Sequence, residues 1–332
     1  MKKKVLIVGH GLAGAILAHE FLKQEVDLRV IDAGSPHSAS SVSAGLINPF
    51  IGPKLNLPND FQECIEATVS FFAEIEHSFG KKFLHAVELF RVFTSMKQAA
   101  LWPLLESSYA GKLLQAADCQ NLGLIAEHGA GITEAWRVDT QELIACLRAQ
   151  LGAENIFQPI SFNEEEWQGW TVIFCEGFRA VENPWFLGLP FAPAQGEVLT
   201  IETRHNLNFS NGTWHLPLSC GEKAWVGSTW KHEDLQSGPT GAAKEEILRR
   251  LGFLRLECSE VMEHKSGVRS GTIDRNPILG RHWEIPHFLI FNGFGSRGCT
   301  TIPSCARKMV DFVMNETPLP RHIDLSRLSR ED

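Results

Sequence analysis

Residues 4–14, Lys4-Val5-Leu6-Ile7-Val8-Gly9-His10-Gly11-Leu12-Ala13-Gly14, decide the fold. Val5 to Val8 is a continuous apolar run rich in β-branched residues, the pattern of a strand buried on both faces. The run enters a G-x-G-x-x-G pattern, and Ala15-Ile16-Leu17-Ala18-His19-Glu20-Phe21-Leu22 then repeats apolar residues at helical spacing. A second strand, Leu28-Arg29-Val30-Ile31, ends on Asp32. Gly9 permits the tight turn, Gly11 lets the backbone approach a pyrophosphate, and Gly14 lets the helix pack close to the strand. Exposed N–H groups at the helix start, around Leu12 and Ala13, would hold anionic phosphates. Asp32, followed by Ala33, would accept hydrogen bonds from the hydroxyls of an adenosine ribose. Together these pieces specify a dinucleotide site. The acid disfavours the 2′-phosphate of NADP and leaves NAD and FAD open.

The chain has 332 residues, enough for one large domain or two intertwined ones. With 44% hydrophobic and 21% charged residues it reads as an ordinary globular protein. A net charge of −8 argues against a broad nucleic-acid surface, since phosphate binding needs clustered Lys and Arg. Lys2-Lys3-Lys4 reads as a solvated N-terminus; Gly9 and His10 break the apolar stretch after it, against a signal peptide. No segment is long and apolar enough to cross a bilayer. The eight cysteines, at 64, 119, 146, 175, 220, 258, 299 and 305, show no C-x-x-C pair and no zinc spacing with His, so no metal site is expected. Free thiols in apolar surroundings point to the reducing cytoplasm.

Past Asp32 and the turn Ala33-Gly34-Ser35-Pro36, Ser38-Ala39-Ser40-Ser41-Val42-Ser43-Ala44-Gly45-Leu46-Ile47-Asn48-Pro49 reads as a Ser-rich loop and a short helix ending before Pro49. Its small side chains suit a loop on which a large planar ligand lies against the backbone. Residues 61–79 form an amphipathic helix with Phe61, Ile65, Val69, Phe72 and Ile75 as its apolar stripe. Leu89 to Phe93 reads as a strand. Asp139 or Thr140 would cap a helix that begins at Gln141. Trp170 to Gly177 and His287 to Phe291 are further buried strands. Gly212 to Leu218 and Ala224 to Thr229, joined by Ser219-Cys220-Gly221-Glu222, alternate as an antiparallel hairpin. A glycine-rich turn, Asn292 to Gly298, precedes a helix from Ser304 to Met314, and the tail from Pro318 reads as polar and loose.

The segment A-S-x-x-S-A-G-L-I-N-P resembles the D-amino-acid oxidase family of FAD enzymes. So does Gly267-Val268-Arg269-Ser270-Gly271-Thr272-Ile273-Asp274-Arg275-Asn276-Pro277-Ile278-Leu279-Gly280, which follows the family form G-[LV]-R-x-x-T-x-D-x-x-P-x-[IL]-G at every fixed position. Pro193 to Leu199 resembles the family's P-x-x-G-E-x-L crossing into a substrate sheet. Gly295-Ser296-Arg297-Gly298 resembles the oxidase half of the bacterial enzyme that trims carboxymethylaminomethyl-uridine in tRNA.

The resemblance implies an α/β fold. A Rossmann-like FAD-binding domain of the glutathione-reductase nucleotide type would span residues 1–80, 138–190 and 262–332, discontinuously. A second α+β substrate domain, built on an antiparallel sheet, would span residues 81–137 and 191–261.

It also implies roles. Ser40 and Ser41 would approach the pyrophosphate, and Ala44, Gly45, Leu46 and Ile47 would run along the flavin. Ile160 would touch the adenine and Gly177 would pass the cofactor, although Cys175 and Glu176 replace smaller family residues. Gly295, Ser296, Arg297, Gly298, Cys299 and Thr300 would face the pyrimidine edge of the flavin. Arg269 would pair with a substrate carboxylate, for which a planar guanidinium suits two parallel bonds. Trp214, Trp230 and Asn48 complete the substrate side. The family's carboxylate-binding tyrosines have no counterpart, because the single tyrosine is Tyr109. FAD would be held noncovalently, since Gly267 stands where covalent relatives have a cysteine.

The implied reaction is hydride transfer to flavin N5 from the Cα of a small amino acid or N-substituted glycine. Imine hydrolysis would follow, with reoxidation by oxygen or another acceptor. His215, beside Trp214, is a general-base candidate whose plainer reading is a core histidine. A tRNA-modifying oxidase, a nicotinamide dehydrogenase and a non-catalytic flavin protein are the alternatives.

Overall fold

Val5 and Ile7 face one side of the first strand, Leu6 and Val8 face the other, and both sides are buried. That explains why the run is continuous rather than alternating. The computed structural model describes residues 2–35, 37–154, 156–218, 221–254 and 260–328. Lys3–Val8 lies inside a six-stranded sheet ordered Ile278–Arg281, Phe288–Asn292, Thr171–Phe174, Lys3–Val8, Val26–Ile31, Phe157–Gln158. All neighbours run parallel except the antiparallel edge strand Ile278–Arg281. Helices Leu12–Leu22, Phe61–Phe79, Thr140–Ala153 and Gly298–Asn315 cover one face. An aromatic layer built on Phe174, Phe186, Phe288 and Trp185 covers the other, with Phe174 and Trp185 stacked at 5.3 Å.

The second sheet is ordered Val261–Arg269, Ala194–Glu202, Lys223–Gly227, Trp214–Pro217, Asn208–Ser210, Leu84–Val92, Ala130–Val138, Leu46–Ile47, with Ala110–Leu114 also on Ala130–Val138. Only Asn208–Ser210 against Leu84–Val92 is parallel among these pairs. Leu199, Ile201, Val226 and Phe209 pack with Ile247 of helix Gly241–Arg250 on one face. Leu46–Ile47 and Val261–Arg269, from segments read as cofactor-binding, are hydrogen-bonded into this second sheet. The two sheets therefore share the chain more intimately than a division by segment suggests.

Several local readings are corrected. In helix Phe61–Phe79, Val69 is 44% exposed, and the buried stripe runs through Phe61, Cys64, Ile65, Thr68, Phe71, Phe72 and Ile75. Position 69 lies about 100° past the centre of a stripe that steps about 100° per residue. The last helix starts at Gly298, not Ser304, and takes Pro303 into its sixth position. Lying past the first turn, the proline removes the N–H that would have bonded the Cys299 carbonyl. Asp139 is the N-cap residue of Thr140–Ala153, but its carboxylate contacts His85 Nε2 at 2.9 Å instead of capping. The Ser-rich segment is helical only over Ala39–Val42.

The tail is not loose as far as Leu328: Leu319, Ile323 and Leu325 are buried, and Leu279 N–H donates to the Ile323 carbonyl. The hairpin forms, and the Ser219-Cys220 part of its turn lies outside the described residues. Among the described residues, Cys64, Cys119, Cys146, Cys175, Cys299 and Cys305 are unpaired, and no metal-ligating cluster occurs. No helix among them is long and apolar enough to cross a membrane.

Candidate functional site

Where Lys3–Val8 ends, a cleft of about 1400 Å³ opens, lined from both sheets. It exceeds the roughly 300–1,000 Å³ of a pocket for a drug-sized ligand. The three fingerprint glycines do different things. A Cβ on Gly9 (φ +99°) would meet the Cys175 carbonyl oxygen at 2.6 Å, and one on Gly14 would meet the Gly9 carbonyl oxygen at 1.9 Å. Both are fixed by the fold. A Cβ on Gly11 would meet only the Ser40 side chain, with its Oγ at 3.1 Å. The fold alone does not demand glycine there, so its need lies toward the cleft. Gly11 is the N-cap of Leu12–Leu22 and offers no side-chain cap; Leu12 N–H donates to Ser40 Oγ at 3.0 Å. Ala13 also lines the cleft, while Gly14 lies behind it.

Asp32 and Ala33 line the same end. Asp32 Oδ1 accepts from Gly34 N–H at 3.0 Å, and Oδ2 accepts from Arg148 Nη2 at 3.2 Å. Arg148 also donates to the His10 carbonyl at 3.3 Å, and its guanidinium lies over the Phe157 ring at 5.1 Å. His10, 1% exposed, has a pKa lowered to about 4, first by burial and then by Arg148. Its ring is therefore neutral at pH 7.

In the middle of the cleft, Ser40, Ser41, Ala44, Gly45, Leu46, Ile160, Gly177, Gly295, Ser296, Gly298 and Cys299 line the wall. The Ser38–Val42 segment straps the two ends together. Ser40 accepts from Leu12, Val268 N–H donates to the His37 carbonyl at 2.9 Å, and a Cβ on Gly267 would lie 2.5 Å from Val42 Cγ2. Besides Gly14, four expected residues do not line the cleft. Ile47 is buried in the core. Asn48 Oδ1 accepts from Phe50 N–H at 3.1 Å. Arg297 pairs with Asp60 at 2.6 Å, and the Thr300 carbonyl accepts from Thr68 Oγ1 at 2.9 Å.

At the far end stand Arg269, Trp214 and Trp230. The Arg269 guanidinium lies 4.9 Å from the Trp230 ring centre, a cation–π contact. Nη2 donates to Ser228 Oγ at 2.5 Å and Nη1 to the Thr229 carbonyl at 3.4 Å. A Cβ on Gly196 would come within 2.3 Å of both terminal nitrogens, which accounts for the glycine of the P-x-x-G-E pattern. The glutamate of that pattern, Glu197, is 2% exposed and anchors the next helix by accepting from Thr240 N–H at 2.8 Å. Desolvation lowers the Arg269 pKa to about 10, so the group stays charged at pH 7. Among the described residues no acidic side chain pairs with it. Its charge is thus not matched by an acid within the described part of the protein. His215 is fully buried, contacts Thr203 Oγ1 at 3.1 Å and the Leu207 carbonyl at 3.3 Å, and does not line the cleft. It is a core histidine.

Sequence reasoning missed Arg148, Ser228, Glu176 and Asn292, all on the cleft wall. Arg148 had a signal: Gln141, Ile144, Ala145 and Arg148 share one helix face, and all four line the cleft. Asn292 ties the wall together, its Oδ1 accepting from Ser270 Oγ and Gly293 N–H and its Nδ2 donating to the Gly177 carbonyl. Burial raises the Glu176 pKa, opposed by the 2.6 Å bond it accepts from Asn183.

A family model described as DAO, FAD dependent oxidoreductase, matches residues 4–312. The chain belongs to this family. It is 25% identical over 95% of its length to the tRNA 5-methylaminomethyl-2-thiouridine biosynthesis bifunctional protein of Maricaulis maris, covering 52% of that protein. Against a glycine oxidase of Bacillus licheniformis it is 24% identical over 43% of its length, covering 40% of the relative. The chain thus spans about half or less of the curated relatives it matches. Among solved structures, iminodiacetate oxidase from Chelativorans sp. shares the fold with a TM-score of 0.78 at 20% identity, covering 96% of this chain and 98% of that one.

The family cofactor, FAD, fits what this DAO-family chain presents. The helix start, capped only at Leu12 by Ser40, faces the cleft, Gly11 leaves its backbone open from that side, and the cleft has room for a dinucleotide and a small substrate.

Proposed function

We propose that the protein oxidises the Cα–N bond of a small amino acid or N-substituted glycine, and that Arg269 carries this reading. Its charge inside the cleft, unmatched by any acid among the described residues, is what a substrate carboxylate would neutralise. FAD, held noncovalently, supplies the two-electron redox chemistry when bound. Gly9, Gly11, Leu12, Ala13, Ser40 and Ser41 would hold its pyrophosphate and Asp32 its ribose; Ile160 and Gly177 would border the adenosine. Ala44, Gly45, Leu46 and the turn residues Gly295, Ser296, Gly298 and Cys299 would border the flavin. The six-stranded sheet would thus carry most of the cofactor wall, while the nine-stranded sheet, which includes Leu46, would carry the substrate side.

Arg269 orients the carboxylate so that the Cα–H faces the redox centre, while Trp214 and Trp230 shape the space around the amine. Among the described residues no histidine or carboxylate is hydrogen-bonded to Arg269 to act as base, which suits a substrate amine that binds neutral. Oxygen is the proposed electron acceptor. The unpaired cysteines support a reducing compartment, the cytoplasm.

The test is anaerobic mixing of the flavin-loaded protein with N-substituted glycines, proline-like imino acids and D-amino acids. Bleaching of the flavin absorbance by a carboxylate-bearing amine is expected. Bleaching by none of them would favour a flavin protein without catalysis. Arg269→Ala should keep its flavin and raise KM for such substrates on the order of 100-fold; an unchanged KM would sink the carboxylate role. A second reading, oxidation of a carboxymethylaminomethyl group on tRNA, is supported by the alignment with the Maricaulis protein over 95% of the chain. Tight, saturable tRNA binding would favour it.

A further inference from the structure

We infer that Ser228 is a second carboxylate ligand, which with Arg269 forms a two-donor receptor for the substrate. The inference rests on the carboxylate reading of Arg269 and extends it to a residue with no motif of its own. Ser228 immediately follows strand Lys223–Gly227 and lines the cleft. Its Oγ accepts from Arg269 Nη2 at 2.5 Å. A hydroxyl has one proton to give and two lone pairs to receive with. Here a lone pair is committed to the arginine, and no described residue takes the Ser228 proton. That proton is left for a ligand beside the guanidinium.

The surroundings hold the pair in place. Trp230 lies against the Arg269 guanidinium, Gly196 leaves room for its terminal nitrogens, and the Thr229 carbonyl accepts from Nη1. The guanidinium carries five N–H groups, and two protein acceptors take part of them. A carboxylate set against the remaining N–H groups would lie next to the serine hydroxyl and could accept from both. The single tyrosine, Tyr109, hydrogen-bonds Gln62 and does not line the cleft, so it is not a neutral donor there. Ser228 supplies that donor. The class of ligand selected is an amine with a free carboxylate on the carbon to be oxidised; esters and amides of the same amines lack the second acceptor oxygen in charged form.

The experiment compares Ser228→Ala, Ser228→Thr and Arg269→Ala as flavin-loaded proteins, titrated with methoxyacetate and followed by flavin absorbance. Methoxyacetate has the shape of N-methylglycine but no oxidisable amine, so the readout is binding. Methoxyacetamide is the control without the carboxylate. Ser228→Ala should weaken methoxyacetate binding roughly 10- to 100-fold, leave the amide unaffected, and be largely rescued by Ser228→Thr. Unchanged methoxyacetate affinity in Ser228→Ala, with Arg269→Ala strongly impaired, would overturn the role of Ser228 alone. Equal losses for carboxylate and amide would also overturn it, as a structural effect. Unchanged affinity in Arg269→Ala, or no binding to the wild type, would overturn the carboxylate reading on which it rests.

Discussion

The two ends of the cleft are built on opposite principles. The end near Gly9 to Asp32 is made by backbone: one strand, one turn and one helix start, contiguous in the chain, with glycines doing the shaping. The end around Arg269 is made by side chains that arrive from Ala194–Glu202, Trp214–Pro217, the residues after Lys223–Gly227, and Val261–Arg269. Backbone sites tolerate few substitutions and bind what every relative binds. Side-chain sites on a sheet can be revised one residue at a time, which suits the substrate role proposed for that end.

The contrast can be broken most severely at the glycines. Gly14→Val should prevent folding, because the Gly9 carbonyl lies 1.9 Å from any Cβ. Gly11→Val should fold and yet purify without flavin. Circular dichroism with the flavin-to-protein absorbance ratio separates the two; a flavin-loaded Gly11→Val would show that the opening loop does not cradle the pyrophosphate.

At the other end, Gly196→Ala should push Arg269 off its seat, raising KM for carboxylate substrates on the order of 100-fold while flavin content stays full. Wild-type kinetics in that variant would mean the guanidinium is free to move.

Acid should weaken both sheets, the nucleotide end included. His10 lies in the fingerprint loop, and burial has lowered its pKa from 6.5 to about 4, as it has for His19 and His215 in the cores. The unfolded chain therefore binds more protons than the folded one below pH 6.5. Stability is full above pH 6.5 and falls as the pH drops toward 4, by about 3 kcal/mol for each histidine fully expressed. Urea midpoints measured at pH 7 and pH 4.5 check the sign; a midpoint that rises on acidification would refute it.

The smallest effect is expected at Arg148, whose bonds to Asp32 and the His10 carbonyl orient the ribose acid. Arg148→Ala should weaken FAD binding by about tenfold, measured by adding FAD to apoprotein, with kcat unchanged at saturating flavin.

The same contrast governs what could be read from the sequence. The first sheet was legible because its strands are buried on both faces and spell continuous apolar runs. The fingerprint was legible because backbone geometry demands glycine at fixed spacing. The motif at Arg269 was legible as a string, but its fixed positions turn out to serve the fold as much as the site. Thr272 donates to the Asn276 carbonyl, Asp274 pairs with Arg327, and Gly280 makes room for Leu325. Ser228 could not be found, since a lone serine after a strand carries no periodic signal. Arg297 misled for a related reason: its position in the turn is near the cleft, while its side chain is drawn off by Asp60. The tail misled because Leu319, Ile323 and Leu325 are too widely spaced to look like an element, and each finds a place in an existing core.

The strap from Ser38 to Val42 gives these ends a shared fate. It hydrogen-bonds the helix start through Ser40, and the strand carrying Arg269 through the residue just before it. A single proteolytic nick between Ser38 and Val42 would thus disable cofactor retention and carboxylate recognition in one event. In the intact protein, the strap ties the support of one end of the cleft to the support of the other.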